Sequence, residues 1–374
     1  MVHVRFGPFH IYLLNSPDAI RQALVSQARK LEKGLNFGRA KRLIGNGLVM
    51  SEGESHRRQR RLMQPAFHRA EIARYVDTMR DVAVPRIQAV DEIERLLRVL
   101  LSELMAQGIT ANVPGLAWVP TRSNRRFSAA SRRLRTMLTG IIDEYRATGT
   151  DRDDLISILM RASDDETGTG MTSRQLRDEA TTLVIAGSET TGNAIAWACY
   201  LLATHPQAQE RLQTEVDEVL AGADASYETL DALPYTRAVI TEALRLYSPV
   251  WILPRRAVAA VELDGYLLRA GSRIMFSPYA LNRDARLHHD PDRFDPGRWA
   301  TDYTRTDLRA SFFPFGQGIR NCIGEGFAWA EATLLLSAIA ARWHLRLADG
   351  ARVHPVVSST LVPNELPIIV TRRG

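Results

Sequence analysis

The chain has 374 residues, 45% of them hydrophobic, which is enough to bury a large core in one domain or two. No segment approaches the roughly 18 to 20 consecutive apolar residues of a membrane helix, and residues 1–9 lack the charged start of a targeting peptide. The net charge of +6 comes almost entirely from arginines interspersed with acidic residues, which argues against a nucleic-acid-binding protein. We therefore expect neither a membrane nor a nucleic acid as partner.

The predicted elements begin with a β-hairpin at residues 3–14, which turns at Gly7-Pro8. A hydrophobic period of 3.6 residues then predicts a series of helices. They cover residues 16–32, 55–89, 91–107, 124–146, 173–205, 206–220, 236–247 and 324–343. Short strands are expected at residues 257–268, with a turn at Asp264-Gly265, and at residues 273–276 and 367–371. This pattern predicts a mainly α protein with small β-sheets, in a single domain over residues 1–374.

The chain contains only two cysteines, Cys199 and Cys322, which lie far apart in sequence. Secreted disulfide scaffolds normally use more, so the expected setting is a reducing cytoplasm with at least one thiol available for chemistry. Cys199 falls on the apolar face of a predicted helix and is interpreted as a core residue without a chemical role.

Residues 313–324, FPFGQGIRNCIG, form a turn-rich segment that brings Cys322 to the first turn of the following helix. Unpaired N–H groups and the helix dipole stabilise a thiolate at such a position. Gly318 and Gly324 would allow the backbone to approach a large flat group, and Arg320 could bind a carboxylate. A lone cysteine is otherwise most simply a small buried hydrophobic residue.

The surrounding residues decide between these readings, because they resemble the signature FxxGxRxCxG of the cytochrome P-450 family. The matching residues are Phe315, Gly318, Arg320, Cys322 and Gly324. The resemblance implies a triangular-prism fold that holds heme b (iron protoporphyrin IX), with Cys322 as the iron ligand. It also implies that Phe315, Gly316 and Gly324 contact the heme and that Arg320 binds a propionate.

The predicted helix 173–205 carries the sequence AGSETT, which is similar to the family motif AGxET. Small side chains at Ala186 and Gly187 would leave room beside the heme for oxygen, and mid-helix polar groups can hold water. By resemblance, Thr190 assists oxygen activation and Glu189 relays protons. The alternative is a notch where another helix packs.

Glu242 and Arg245 are three residues apart on the predicted helix 236–247 and can pair. They match the family motif ExxR, and the sequence PDRF resembles the segment that supplies a third partner, here Arg293. The implied role is structural, bracing the cysteine loop. An exposed ion pair of no special function is the alternative.

His56 and Arg60 are four apart on a predicted helix and match the family's HxxxR region, so they would face a heme propionate together. By resemblance Arg255 is a further propionate ligand. A solvated basic face is the alternative, and it suits the neighbouring Arg57, Arg58 and Arg61.

The substrate pocket implied by the resemblance is apolar, although each of its residues could equally be plain core. The candidates are Ile44, Val49, Ile185, Val250, Trp251, Ile252, Leu253, Leu361 and Val362. Because none offers a charged anchor, we expect a hydrocarbon-rich substrate. The segments around Gly45 and Trp251 are similar to bacterial terpene hydroxylases.

The resemblance thus implies a monooxygenase that takes O2 and receives electrons from a ferredoxin-type donor with its reductase. Two alternatives remain, a peroxide-driven enzyme of the same fold and a heme sensor or carrier. Relative to the family pattern, the sequence lacks a proline-rich lead before the hairpin and residues between Val90 and Asp91.

Overall fold

The computed structural model describes residues 1–6, 9–34, 41, 45–83, 100, 121–149, 154–164, 166–301 and 311–374. Helices dominate this part of the chain, and none of the described ones has the length and apolar character to cross a membrane. In chain order the helices are α1 (Pro17–Arg21), α2 (Gly53–Met63), α3 (Arg69–Ala83), α4 (Arg122–Thr148), α5 (Leu155–Arg161), α6 (Ser173–Thr204), α7 (Pro206–Leu220), α8 (Tyr227–Leu230), α9 (Pro234–Leu246), α10 (Pro278–Leu281), α11 (Arg298–Thr301) and α12 (Glu325–Arg342).

The strands are short. They are β1 (Val2–Phe6), β2 (Phe9–Leu14), β3 (Leu31–Glu32), β4 (Leu253–Ala257), β5 (Val261–Leu263), β6 (Tyr266–Leu268), β7 (Arg273–Phe276), β8 (Trp343–Leu347), β9 (Pro355–Val357), β10 (Leu361–Pro363) and β11 (Ile368–Arg372). Five of them form a sheet in the order β1-β2-β7-β4-β3, in which only β2 and β7 run parallel. The remaining strands form the antiparallel pairs β5-β6, β9-β10 and β8-β11.

The chain forms two compact units. One consists of Met1–Leu35 and Thr190–Gly374 and contains all the described strands; the other is Asn36–Glu189. Each has an apolar core. In the first unit, the sheet and α1 enclose a cluster that includes Ile20, Leu24, Val261, Ile274 and Phe276. In the second unit, α4 and the first half of α6 enclose Leu100, Phe127, Leu134, Leu138, Ala180 and Ile185.

The predicted class, mainly α with small β-sheets, is confirmed, and α4, α6, α7 and β7 closely match their predicted ranges. The helix predicted at residues 16–32 is wrong beyond its first turns. After α1 the chain forms a π-helical turn at Gln22–Ser26, and Leu31–Glu32 becomes a strand that pairs with β4. Pairing with a distant strand overrides local helical periodicity here.

The helix predicted at residues 55–89 is interrupted. α2 ends at Met63, a 3-10 turn covers Gln64–Phe67, and α3 begins at Arg69. Pro65 has no N–H to donate to the helix ladder, which explains the break. The part after Ala83, the predicted helix 91–107 apart from Leu100, and the Val90-Asp91 junction lie outside the described residues.

The turn predicted at Asp264-Gly265 is confirmed between β5 and β6. Both residues have positive φ angles, 55° for Asp264 and 76° for Gly265, as a two-residue turn between antiparallel strands requires. The amino group of Met1 donates to the Asp264 carboxylate at 2.8 Å, which ties this hairpin to the start of the chain.

Candidate active site

Cys322 lies in the loop that precedes α12, and its side chain is exposed. The backbone N–H of Cys322 donates to the carbonyl oxygen of Phe315 at 2.8 Å and so closes the loop. Helix α12 begins at Glu325 with Gly324 as N-cap. Cys322 therefore lies just ahead of the first turn, whereas the prediction placed it within that turn.

Two glycines of this loop are required by the local backbone conformation. Gly316 and Gly318 have φ angles of 70° and 71°, in the left-handed region. A Cβ at Gly318 would lie 2.1 Å from the carbonyl oxygen of Leu24, so this glycine allows close packing against the Gln22–Ser26 turn. Gly324 has a φ of −89°, which any residue can adopt, and its predicted contact with a heme stays a prediction.

The basic side chains predicted to bind propionates are largely withdrawn from solvent. His56 and Arg60 lie one turn apart on α2 in the second unit, and His56 is only 6% exposed. In the first unit, Arg255 on β4 is 8% exposed and donates to the carbonyl oxygen of Pro254 at 2.8 Å. Arg320 ends the 3-10 turn Gly318–Arg320 and is partly buried. Their convergence on a common ligand stays a prediction.

Helix α6 runs unbroken through the AGSETT sequence. A Cβ added at Gly187 would meet no atom of the described residues within 4 Å, and Ala186 is exposed. Glu189 and Thr190 are partly exposed. The helix therefore presents small residues with open space beside an acid and a hydroxyl, and their place next to a heme stays a prediction.

One carboxyl group near this segment was missed by sequence analysis. Burial raises the pKa of Glu331 on α12, although a hydrogen bond with the Thr191 side chain partly opposes that effect. Thr191 directly follows Thr190. A single acidic residue within the apolar sequence WAEATLLL was the available signal.

Glu242 and Arg245 on α9 form a fully buried ion pair with two parallel hydrogen bonds, each 2.8 Å long. Arg245 also donates to the carbonyl oxygens of Asn282, Pro291 and Arg293 at 2.7, 2.6 and 3.1 Å. The pair therefore fastens α9 to the segment after α10, so the alternative of an exposed ion pair is wrong.

The third member of this network is Arg298 and not Arg293. Nε of Arg298 donates to Glu242 at 3.0 Å, whereas Arg293 contributes its backbone carbonyl and keeps an exposed side chain. Trp299 adds an indole N–H to the same carboxylate at 2.8 Å. The chain offers two similar sequences, PDRF and PGRW, and the prediction chose the first.

His288 lies beside this network, 2% exposed, and neither ring nitrogen has a hydrogen-bond partner among the described residues. Burial lowers the pKa of His288 from 6.5 to about 4, and the charges of Arg245 and Arg298 add to the effect, while Glu242 and Asp284 oppose it. Between these two values the unfolded state binds a proton that the folded state does not.

We therefore expect the free energy of unfolding to fall by up to about 3 kcal/mol as the pH drops from 6.5 to 4. His288→Phe should flatten this dependence in denaturant unfolding at a series of pH values. His289→Phe, which changes an exposed neighbour, should leave it intact. Equal pH slopes for wild type and His288→Phe would assign the acid sensitivity to other groups.

The predicted substrate residues are distributed over both units, and Ile44 lies outside the described residues. In the first unit, the backbone N–H of Leu361 donates at 3.0 Å to the carbonyl oxygen of Pro249, the residue that precedes the predicted segment 250–253. Leu361 itself is 3% exposed, whereas Val250, Trp251, Ile252, Leu253 and Val362 are partly exposed. In the second unit, Ile185 is buried and Val49 is exposed.

Comparison with known proteins supports the family resemblance that the sequence motifs indicate. The family model Cytochrome P450 matches residues 86–372. The chain is 38% identical to "Cyclooctatin synthase" and 37% identical to "Cyclooctat-9-en-7-ol 5-monooxygenase", both from Streptomyces melanosporofaciens, over 99% and 100% of its length and 88% of each relative. It is 35% identical to "Pentalenene oxygenase" of Streptomyces avermitilis, over 100% of this chain and 90% of that one.

A solved structure, the heme domain of cytochrome P450DA, superimposes with a TM-score of 0.86 at 24% identity, covering 100% of this chain and 90% of the other. That likeness establishes the fold. The sequence relatives establish the family, because each is aligned over nearly the whole chain. The chain belongs to the cytochrome P450 family.

Proposed function

We propose that this heme monooxygenase inserts one oxygen atom from O2 into a C–H bond of an apolar, terpenoid-like small molecule. The observation that carries the oxygen chemistry is the exposed side chain of Cys322 ahead of α12. The substrate class is supported by relatives whose names refer to cyclooctat-9-en-7-ol and pentalenene. The apolar residues 250–253, which follow the Pro249 that is hydrogen-bonded to Leu361, fit such a ligand.

The residues present fit a heme. Cys322 offers an iron ligand, and Gly187 leaves open space along α6. His56 and Arg255 are nearly buried basic side chains of the kind that bind a propionate. When bound, heme b supplies an iron that activates O2, and thiolate ligation favours O–O cleavage.

The protein's own part of the reaction is to bind and orient the substrate and to deliver protons. The Thr190 hydroxyl can donate a hydrogen bond toward the open surface of α6, and the Glu189 carboxyl can exchange protons with solvent because it is partly exposed. Glu331 can keep its proton at higher pH than an ordinary carboxyl, since burial raises its pKa. Apolar groups such as Ile185 exclude water from the substrate.

Electrons are supplied, in this proposal, by a ferredoxin-type donor with its reductase in a reducing cytoplasm. Arg57, Arg58 and Arg61 on α2 would attract an acidic donor electrostatically, but two of them are already paired within the second unit. Arg57 pairs with Glu54, and Arg61 pairs with Asp164 and Glu166. These pairs reduce the positive field that this part of α2 can offer to an acidic partner.

The substrate class is tested by titrating the purified protein with pentalenene, cyclooctat-9-en-7-ol, a steroid and a fatty acid while following the spin state of the heme. We expect the two terpenoids to shift the spin state at lower concentration than the others. A preference for the fatty acid or the steroid would contradict the terpenoid assignment without affecting the monooxygenase assignment.

Thr190→Ala should bind substrate and accept electrons but divert oxygen to hydrogen peroxide. Each ~1.4 kcal/mol lost from the preference for productive cleavage changes the product ratio about tenfold, so one lost hydrogen bond is measurable. The measurement is hydroxylated product and peroxide formed per reduced cofactor consumed. Thr190→Ser keeps a hydroxyl and should stay coupled. Equal coupling in wild type and Thr190→Ala would remove Thr190 from the mechanism and favour the helix-packing interpretation.

A further inference from the structure

The loop before α2 is fastened to helix α6 by two adjacent carboxylates. The backbone N–H of Asn46 donates to Asp178 at 3.0 Å, and that of Leu48 donates to Glu179 at 2.8 Å. Asp178 is 8% exposed and Glu179 is completely buried. Burying two carboxylates is costly unless they accept hydrogen bonds, so the loop amides and the helix stabilise each other.

Two glycines allow this loop to lie directly on the helix. Gly45 has a φ of 71°, and a Cβ there would lie 2.1 Å from Cγ of Asp178. A Cβ at Gly47 would lie 2.1 Å from the Thr182 hydroxyl and 2.8 Å from the backbone oxygen of Asp178. Because one of these atoms belongs to the helix backbone, side-chain movement alone could not relieve a substitution at Gly47.

Helix α2 holds the loop from the other side. The Gln59 amide donates to the carbonyl oxygen of Asn46 at 2.7 Å, and Gln59 is 3% exposed. Within the loop, the backbone N–H groups of Met50 and Ser51 both donate to the carbonyl oxygen of Gly47, at 2.8 and 3.0 Å. The loop is therefore a fixed element with a defined position on α6.

The fixed position of the loop determines where the side chains that follow Leu48 lie. The next side chain, Val49, is 39% exposed, whereas Met50 packs against the core cluster that contains Ile185. Ile185 is two residues before Gly187, where α6 has open space. Residues of the proposed pocket on the loop and on the helix are thus held in register within one unit by the hydrogen bonds to Asp178 and Glu179.

We propose that Asp178 and Glu179 are positioning residues that fix the loop 45–50 on α6 and thereby set the size of ligand that the pocket accepts. This inference rests on the proposed pocket function. Neither residue touches the reacting atoms. Asp178 and Glu179 pre-organise Val49 and Met50. Loss of either carboxylate should therefore weaken the binding of ligands large enough to reach the loop and leave the binding of smaller ligands unchanged.

The first test is independent of any substrate. In the heme-loaded protein, Asp178→Ala should accelerate hydrogen exchange of the peptide that covers residues 45–51. Asp178→Asn retains an acceptor oxygen and should largely restore protection. Asp143→Ala, which removes an exposed carboxylate from α4 in the same unit, is the matched control and should have no effect. Unchanged exchange in Asp178→Ala would overturn the proposal.

The second test uses two iron-binding probes, imidazole and the bulkier 4-phenylimidazole, whose dissociation constants are read from the heme spectrum. Asp178→Ala should weaken 4-phenylimidazole about three- to tenfold, the effect of one lost hydrogen bond, and leave imidazole unchanged. Equal weakening of both probes, or of neither, would contradict the inference.

If Asp178→Ala does not fold, Gly47→Ala provides the same two measurements, because it displaces the loop and leaves both carboxylates in place. We expect the same faster exchange and the same selective loss of 4-phenylimidazole binding. Native behaviour of Gly47→Ala would count against the proposal. Failure to oxidise any terpenoid would refute only the proposed substrate, since neither test requires turnover.

Discussion

Cys322→Ala is expected to abolish the strongly red-shifted Soret band that marks thiolate ligation in the reduced, carbon-monoxide-bound protein. The loss should be complete, because a heme iron has one proximal ligand and no second thiol can replace it. Cys199 is buried and burial raises the pKa of its thiol to about 12, so it is not a source of thiolate.

Two further variants make the Cys322 experiment decisive. Cys199→Ala should keep the red-shifted band and serves as the matched control. Cys322→His supplies another iron ligand and should give a heme protein with the band at its ordinary position, which separates loss of ligation from loss of heme. Persistence of the red-shifted band in Cys322→Ala would show that the ligand assignment is wrong.

Sequence alone was sufficient for the elements whose boundaries are locally encoded. Pro206–Leu220 begins with a proline at the first helical position, and the Asp264-Gly265 turn has residues that tolerate positive φ, so both were predicted correctly. Strand Leu31–Glu32 was missed because its only structural reason is pairing with Arg256 and Ala257, more than 200 residues away.

The candidate site shows the same division. The motif around Cys322 is contiguous, so its residues could be read directly from the chain. The hydrogen bonds from Asn46 and Leu48 to Asp178 and Glu179 join residues more than 130 positions apart, and no local pattern indicates them. Such contacts depend on how helix α6 meets the loop, which periodicity does not specify.

The choice between Arg293 and Arg298 is the clearest case of an ambiguous motif, and it leads to the second large expected effect. Glu242 is a fully buried carboxylate that accepts from Arg245, from Arg298 and from the indole of Trp299. Its charge is stable there only while these donors surround it. Arg293 acts through its backbone carbonyl, which any residue provides.

Arg298→Ala should therefore lower the free energy of unfolding by about 3–5 kcal/mol, because it leaves part of a buried negative charge uncompensated. Arg293→Ala should change it by no more than about 0.5 kcal/mol, as is usual for an exposed side chain. Denaturant unfolding of both variants measures the difference, and heme loss should be faster only in Arg298→Ala, since the network fastens α9 to the segment that leads toward the Cys322 loop. Comparable destabilisation by the two substitutions would mean that the Arg293 side chain contributes to the network after all.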